Sequence, residues 1–292
     1  MSIHDVELIT EECPKIEVTD VPITALSLKE QVEQMVVWAN ERTSKIVCVA
    51  NVHMLIESRN NPKLRKALDN AHLVTPDGMP LVWVMRSLGA RSQERVAGMD
   101  LFKSTCQRCA EESIPINLLG STISVLEKMV NRLKTDFPRL IVAGAESPPF
   151  RKLSQEEEKE TIDKINSSGA GLTFVALGCP KQEDWMLQHY NQVNAVMVGV
   201  GAVFPVYAGD RKHAPKWIQE NGLEWFYRLS QEPKRLFGRY ASTIPPFIYF
   251  ALKQIVYAKV INRKSNLTNI NDDSKPLTLR MLTLPFRTPR RS

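Results

Sequence analysis

The stretch Ala71-His72-Leu73-Val74-Thr75-Pro76-Asp77-Gly78 decides how this chain is read. A short apolar run ends in a Thr-Pro-Asp-Gly turn, and a helical apolar pattern follows with Leu81, Val82, Val84, Met85 and Leu88. Pro76 fixes its own φ, and Gly78 permits a tight or positive-φ turn. The run therefore places one carboxylate where a strand ends and a helix begins. In open α/β sheets that edge is where ligands bind. An aspartate held there can act as a general base. On this run alone the commoner role is a helix N-cap, because Asp accepts bonds from the first free N–H groups of a helix.

A second run has the same grammar. Gly178-Cys179-Pro180-Lys181-Gln182-Glu183 follows a β-rich stretch over 172–177 and opens a helical pattern with Trp185, Met186 and Leu187. Pro suits a first helical turn. Exposed N–H groups at a helix start, with Lys181 beside them, form an anion site. Gln182 offers a donor and an acceptor to a sugar or a base. Either turn alone reads as an ordinary capped connection; the pair together weighs towards a ligand site.

Outward from these turns the pattern repeats. Strands are expected over 45–51, 71–75, 115–120, 139–143, 171–178 and 195–200. Helices are expected over 61–70, 79–88, 100–112, 123–137, 155–167 and 181–191. Continuous apolar strands alternating with helices predict an α/β, Rossmann-like fold, with a mostly parallel sheet covered by helices. After Gly209 the strands stop and a helical C-terminal appendage follows. The expected organisation is a flexible N-terminus over 1–20, an α/β domain over 21–209, a helical appendage with a membrane-surface segment over 210–261, and a disordered basic tail over 262–292.

Composition narrows the function. The 292 residues are 43% apolar, enough for one large domain or one domain plus an appendage. The acidic N-terminus lacks the apolar region of a signal peptide. No run of about 20 uncharged apolar residues occurs, so no spanning helix is expected. Five cysteines, none paired by an obvious framework, fit a reducing compartment. Cys106 and Cys109 lie inside a helical pattern and lack two further ligands with zinc spacing. The histidines show no metal spacing. Gly199-x-Gly201 lacks the third glycine of a dinucleotide fingerprint, and there is no P-loop run. Residues 211–292 hold 16 Lys and Arg against 5 Asp and Glu, which points to an anionic partner for that part of the chain.

Several runs together resemble the WecG/TagA/CpsF glycosyltransferases. They are Asn51, Thr75-Pro76-Asp77-Gly78, Glu94-Arg95-Val96-Ala97-Gly98-Met99-Asp100, Gly178-x-Pro180-Lys181-Gln182-Glu183 and Gly199-x-Gly201-Ala202-x-Phe204. Gly209, Arg211, Ala214-Pro215 and Gly222-Leu223-Glu224-Trp225, with Arg228, Glu232-Pro233 and Arg235, extend the match over roughly 20–240. The resemblance implies inverting, metal-independent transfer of a sugar from a UDP donor to a polyprenyl-diphosphate-linked sugar, in cell-surface polysaccharide synthesis at the cytoplasmic face of the membrane. It carries the proposed base onto Asp77, the active-site asparagine onto Asn51, the pocket glutamine onto Gln182 and the pocket arginine onto Arg95. The arginines of the appendage map onto Arg228 and Arg235, and less closely onto Arg239. Thr75, Gly178 and Lys181, in the matching runs, are taken with them as substrate-binding. The chain departs from the pattern at Val49, where members often carry Thr.

The residue types fit that chemistry. Inverting transfer needs one base, unlike hydrolases that use a carboxylate pair. Asp77 is the candidate; Asp100 reads as the N-cap of a helix beginning at Leu101, and Glu183 as a partner of a helix dipole. There is no Asp-x-Asp run outside or inside the tail, so no metal or other cofactor is expected and arginines would offset the charge on the leaving UDP. Arg228 and Arg235 also have a simpler fate, pairing on the helix with Glu224 and Glu232. Trp217 and Trp225 fit stacking and packing equally well. The aromatic-basic stretch over 243–264, with Phe247, Phe250, Ile255 and Tyr257, is expected to lie on an anionic membrane surface. Two other functions stay open: a polyanion- or nucleic-acid-binding module, against which the aromatics of that stretch speak, and an inactive nucleotide-sugar-binding protein. The residues leave a homo-oligomer open and do not choose among N-acetylmannosamine, its uronic acid and glucuronic acid as donor sugars.

Overall fold

The computed structural model describes residues 13–268 apart from 152, 213, 216 and 219–221. A hairpin of β1 (Lys15–Val18) and β2 (Val21–Thr24) precedes α1 (Leu28–Asn40). Then follow β3 (Lys45–Ala50), α2 (Val52–Asn60), α3 (Pro62–Asp69), β4 (Leu73–Pro76), α4 (Met79–Ser87) and α5 (Gly98–Glu111). The second half runs β5 (Ile116–Gly120), α6 (Ile123–Asp136), β6 (Val142–Glu146), α7 (Gln155–Ser167), β7 (Leu172–Ala176), α8 (Lys181–Gln188), β8 (Val196–Gly199) and α9 (Val203–Tyr207). Two helices close the chain, α10 (Glu224–Gln231) and α11 (Pro233–Thr268).

Strands β3 to β8 form one six-stranded sheet in the order β4-β3-β8-β7-β5-β6, and all its pairs are parallel. The period-2 alternation of side chains sends each strand into two cores. Val47, Val49, Phe174 and Val198 join Met35, Phe102, Phe204 and Tyr207 on one face. Ile46, Cys48, Val175 and Met197 join Met54, Leu68, Met85 and Trp185 on the other. Strands buried on both faces explain why they read as unbroken apolar runs. The α/β architecture expected from the alternating pattern is the one observed.

The differences have local causes. The first twenty residues are not uniformly without structure: β1 pairs antiparallel with β2 through Lys15↔Thr24 and Val18↔Val21. Residues 1–12 lie outside the described part. Helix α1 carries a full capping box between Ser27 and Glu30, the sequence signal that marks it. Strand β6 begins three residues later than expected and is only partly buried, as an edge strand with Gly144 at its centre. Helix α5 starts at Gly98 with Ala97 as N-cap, so Asp100 is an exposed first-turn residue rather than the cap.

Residues up to Ile255 belong to one compact unit and residues from Val256 to another. Within the first unit α11 is amphipathic. Leu236, Thr243, Phe247 and Ala251 are buried, while Phe237, Ile248, Tyr249 and Leu252 are exposed. Gln254 donates to the Glu17 carbonyl at 2.8 Å and accepts from the Thr19 amide at 2.9 Å, tying α11 to the hairpin. Arg59 lies 3.8 Å from the centre of the Phe250 ring. The expectation that Phe247, Phe250 and Ile255 enter lipid is therefore corrected: Phe247 is a core residue, and Phe250 and Ile255 pack against that core. By length and composition alone Pro233–Ile261 is long and apolar enough to cross a membrane. The expected disordered tail over 262–292 begins as helix through Thr268, and the rest of it lies outside the described residues.

Candidate active site

The two turns that opened the sequence reading lie on one edge of the sheet. Asn51 follows β3, Asp77 follows β4, Gly178 follows β7, and Gly199 ends β8. These are the carboxyl ends of four neighbouring strands, β4-β3-β8-β7. The connection from β3 runs outward to β4, and β8 pairs with β3 on its other side, so β3 and β8 lie in the middle of this group of strand ends.

Asp77 is fixed from three directions. Its amide donates to the Ala50 carbonyl at 2.9 Å. Its Oδ1 accepts from the Gly98 amide at 3.1 Å and lies 3.6 Å from Arg95 Nη2. Arg95 Nε donates to the Asp77 carbonyl at 2.5 Å. The side chain keeps 23% of its exposure, so a small group can reach it. Burial pushes its carboxyl above the ordinary range; Arg95 opposes this, Glu224 adds to it, and Arg228 and the Gly98 N–H oppose it. Asp77 does not cap α4: Gly78 is the N-cap and no side chain bonds there. Its carboxylate serves instead the first N–H of α5, at Gly98, and lies beside Arg95, with Glu224 and Arg228 also acting on it.

Glu224, at the start of α10, joins the arginines. Its Oε2 accepts from Arg95 Nη2 at 2.6 Å, and its Oε1 accepts from Arg228 Nη2. Helix α10 thereby brings Arg228 into the electrostatic field of Asp77. Arg235 has a different partner. It pairs with Glu232, which also meets Arg211 at 3.4 Å, beside a cleft of about 470 Å³ lined by Arg211, Lys234 and Arg235. Arg239, the weaker match, is the one whose charge reaches His53 and Cys179 at the carboxyl edge. Arg235 and Arg239, one helical turn apart, thus differ in their partners, a distinction that spacing alone did not make.

The remaining candidates divide. Asn51 caps α2, its Oδ1 accepting from the Met54 amide at 3.2 Å, which leaves its NH₂ group as the donor for a ligand. Lys181 is exposed at the first position of α8. Gly178 adopts φ +83° and donates its N–H to Gln182 Oε1 at 3.2 Å. Gln182 is buried, and its Nε2 donates to Glu183 Oε1 at 2.7 Å. Thr75 is corrected: fully buried, it faces the core shared by Val49, and its hydroxyl donates to Gln31 Oε1 at 2.7 Å. It braces the strand below Asp77 and presents no free hydroxyl to a substrate.

Val49 and Gly98 were not connected by the sequence. A Cβ on Gly98 would stand 3.2 Å from Val49 Cγ1 and 3.4 Å from Val203 Cγ2. The valine at the position where the pattern often has Thr therefore packs the glycine whose amide holds Asp77. Among the described residues no three His, Cys, Asp or Glu side chains are grouped to hold a metal ion.

The model of the glycosyl transferase WecG/TagA/CpsF family matches residues 16–260. A curated relative from Bacillus spizizenii, an N-acetylglucosaminyldiphosphoundecaprenol N-acetyl-beta-D-mannosaminyltransferase, is 31% identical over 218 residues. That alignment covers 74% of this chain and 82% of the relative.

Proposed function

The chain belongs to the WecG/TagA/CpsF glycosyltransferase family, and from that premise we propose that Asp77 is the base of an inverting sugar transfer from a UDP-sugar to a polyprenyl-diphosphate-linked sugar. The observation that carries this reading is the carboxylate of Asp77 at the carboxyl edge of the sheet, held by the Gly98 N–H and Arg95, with Arg228 in its field. Its raised pKa suits a base that must take a proton in the transition state. The acceptor hydroxyl loses its proton to Asp77 and attacks the anomeric carbon. The bond to the diphosphate breaks on the opposite face, UDP departs, and the configuration inverts. Asp77 then returns the proton to solvent.

Negative charge grows on the leaving diphosphate. Arg95 and Arg228 offer guanidinium forks that match phosphate oxygens, and Lys181 and Arg239 add positive charge around the same edge. The reaction on this reading needs no divalent metal. Turnover should survive EDTA; loss of activity with rescue by Mn²⁺ or Mg²⁺ would show a metal site that this reading omits.

The relative's name makes an N-acetylmannosaminyl donor and a polyprenyl-diphosphate-linked N-acetylglucosamine acceptor the first pair to test. Such an acceptor confines the enzyme to the inner face of the cell membrane, in cell-wall or cell-surface polysaccharide synthesis. The exposed apolar residues of α11 support contact with that surface. Release of UDP from a panel of nucleotide sugars, with lipid-linked acceptor present and absent, tests the whole reading. Acceptor-dependent UDP release from one donor is the expected result. Salt-sensitive nucleic-acid binding without release would favour a polyanion-binding protein, and donor binding without turnover an inactive one.

A further inference from the structure

Glu183 lies inside the sheet-to-helix turn and has no exposure to solvent. One of its oxygens, Oε1, accepts from Gln182 Nε2 at 2.7 Å. The other, Oε2, is buried without a hydrogen-bond partner. Besides Gln182, its own backbone N–H and the Cys179 thiol act on the carboxyl. Burying a carboxyl with one oxygen unsatisfied is costly, and an aliphatic side chain would fill the space at less expense. The usual reason for a glutamate at the third position of a helix is to reach back to the N-cap N–H. That reason is missing, because the N-cap of α8 is Pro180, which has no N–H, and no side chain bonds the cap.

What Glu183 does hold is the Gln182 amide. Gln182 Oε1 accepts from the Gly178 N–H, and its Nε2 donates to Glu183. The amide is thus gripped at both ends and cannot flip without breaking both bonds. It stands over the last residues of β8: a Cβ on Gly199 would meet Gln182 Nε2 at 3.0 Å, and one on Gly201 would meet Oε1 at 3.3 Å. Those glycines leave room for the amide at the carboxyl edge of the sheet. With one N–H and one lone pair used, Gln182 keeps one N–H and one lone pair for a ligand.

We propose that Glu183 is a positioning residue that fixes the donor–acceptor direction of the Gln182 amide for binding the nucleotide-sugar donor. The proposal rests on the sugar-transfer reading above. Burial raises the Glu183 carboxyl above its ordinary range, and a proton carried on Oε2 would leave Oε1 the acceptor for Gln182. A glutamine at 183 reproduces that arrangement and a leucine does not.

The test compares Glu183→Leu, Glu183→Gln and Gln182→Leu in the full chain, with UDP binding measured by calorimetry beside steady-state kinetics. Wild-type turnover is measured first; its absence overturns the sugar-transfer reading, whereas the ratios between variants test this proposal. Glu183→Leu should weaken UDP binding or raise the donor KM by about tenfold, the scale of one oriented hydrogen bond, with an unchanged acceptor KM and a melting temperature at or above wild type. Glu183→Gln should recover most of the loss. Adding Glu183→Leu to Gln182→Leu should change donor affinity no further. A Glu183→Leu enzyme with wild-type donor KM and UDP affinity overturns the proposal. If the leucine variant does not fold, Glu183→Gln decides alone: a donor KM raised tenfold at normal melting temperature overturns it equally.

Discussion

Arg95 grips Asp77 twice, donating from Nε to its backbone carbonyl at 2.5 Å and placing Nη2 3.6 Å from its carboxylate. The same Nη2 donates to Glu224 at 2.6 Å. One guanidinium thus sets the position of the candidate base and links the sheet edge to α10. Position and charge are separable here, because the first contact needs the planar fork and the second needs only a cation.

Replacing Asp77 by Asn should preserve the fold and lower kcat by about 10²-fold or more, the scale of a lost general base. Burial raises the folded pKa of this carboxyl above its unfolded value. Its contribution to stability is then fully present below the unfolded pKa and is lost as pH rises through the folded one. The Asn variant should accordingly melt at or above the wild-type temperature at neutral pH. A base must be ionised, so the wild-type rate should rise with pH through a value above the ordinary carboxylate range. Turnover of Asp77→Asn within a few-fold of wild type would remove Asp77 from the role.

Arg95→Lys keeps a charge but loses the fork. The bond from Nε to the Asp77 carbonyl disappears, and Glu224 loses its partner at 2.6 Å. The expected loss in kcat/KM is about 10- to 100-fold, or ~1.4–2.7 kcal/mol. Arg95→Ala removes the largest influence that lowers the Asp77 pKa, so its acid limb should move to higher pH than that of wild type. A pH profile of the two variants separates the effects: only the alanine enzyme should show the shifted limb.

The arginines of α10 and α11 should not be equivalent. Arg228 shares Glu224 with Arg95, and Arg239 reaches the groups around Cys179, whereas Arg235 is paired with Glu232. Alanine at 228 or 239 should raise the donor KM about tenfold or more, while alanine at 235 should change it less than threefold, as expected for an exposed pair. Steady-state kinetics on the three single variants checks the order. A dominant loss at Arg235 would mean that α11 is placed differently when the donor is bound.

Much of this arrangement was legible in the sequence. Apolar runs closed by turn residues marked the strands of the parallel sheet, because strands buried on both faces carry few polar positions to blur them. Strand β6 was misplaced by three residues since Leu140 and Ile141 precede it while Gly144 and Glu146 lie within it. Side-chain direction was less accessible. Thr75 points into the core because its strand pairs with β3 and meets Gln31, 44 residues away, and no local pattern contains that contact. The double pairing of Glu224 joins residues 129 apart. Phe247 and Leu252 are both apolar and basic-flanked in sequence; only packing separates the buried one from the exposed one.

That separation gives the membrane expectation a sharper test than truncation. Cutting the chain before Thr243 would remove Phe247 and Ala251 from the core along with the proposed lipid contact. The two faces of α11 can instead be altered one at a time. Ile248 and Leu252 are 50% and 57% exposed. Their replacement by Glu should leave stability within about 0.5 kcal/mol, since surface substitutions away from a core change it little. The same pair adds two negative charges where a helix lying flat would meet acyl chains and lipid phosphates. Phe247→Ala empties a buried site and should cost about 3 kcal/mol of stability without removing an exposed apolar group. Co-sedimentation with anionic vesicles reads the difference. Wild type and folded Phe247→Ala should pellet and be released by high salt, and Ile248→Glu/Leu252→Glu should stay in solution with an unchanged melting temperature. Activity on lipid-embedded acceptor should fall with that loss of binding, while turnover on a short water-soluble acceptor should not. If the glutamate pair pellets as wild type does, the outer face of α11 is not the lipid contact.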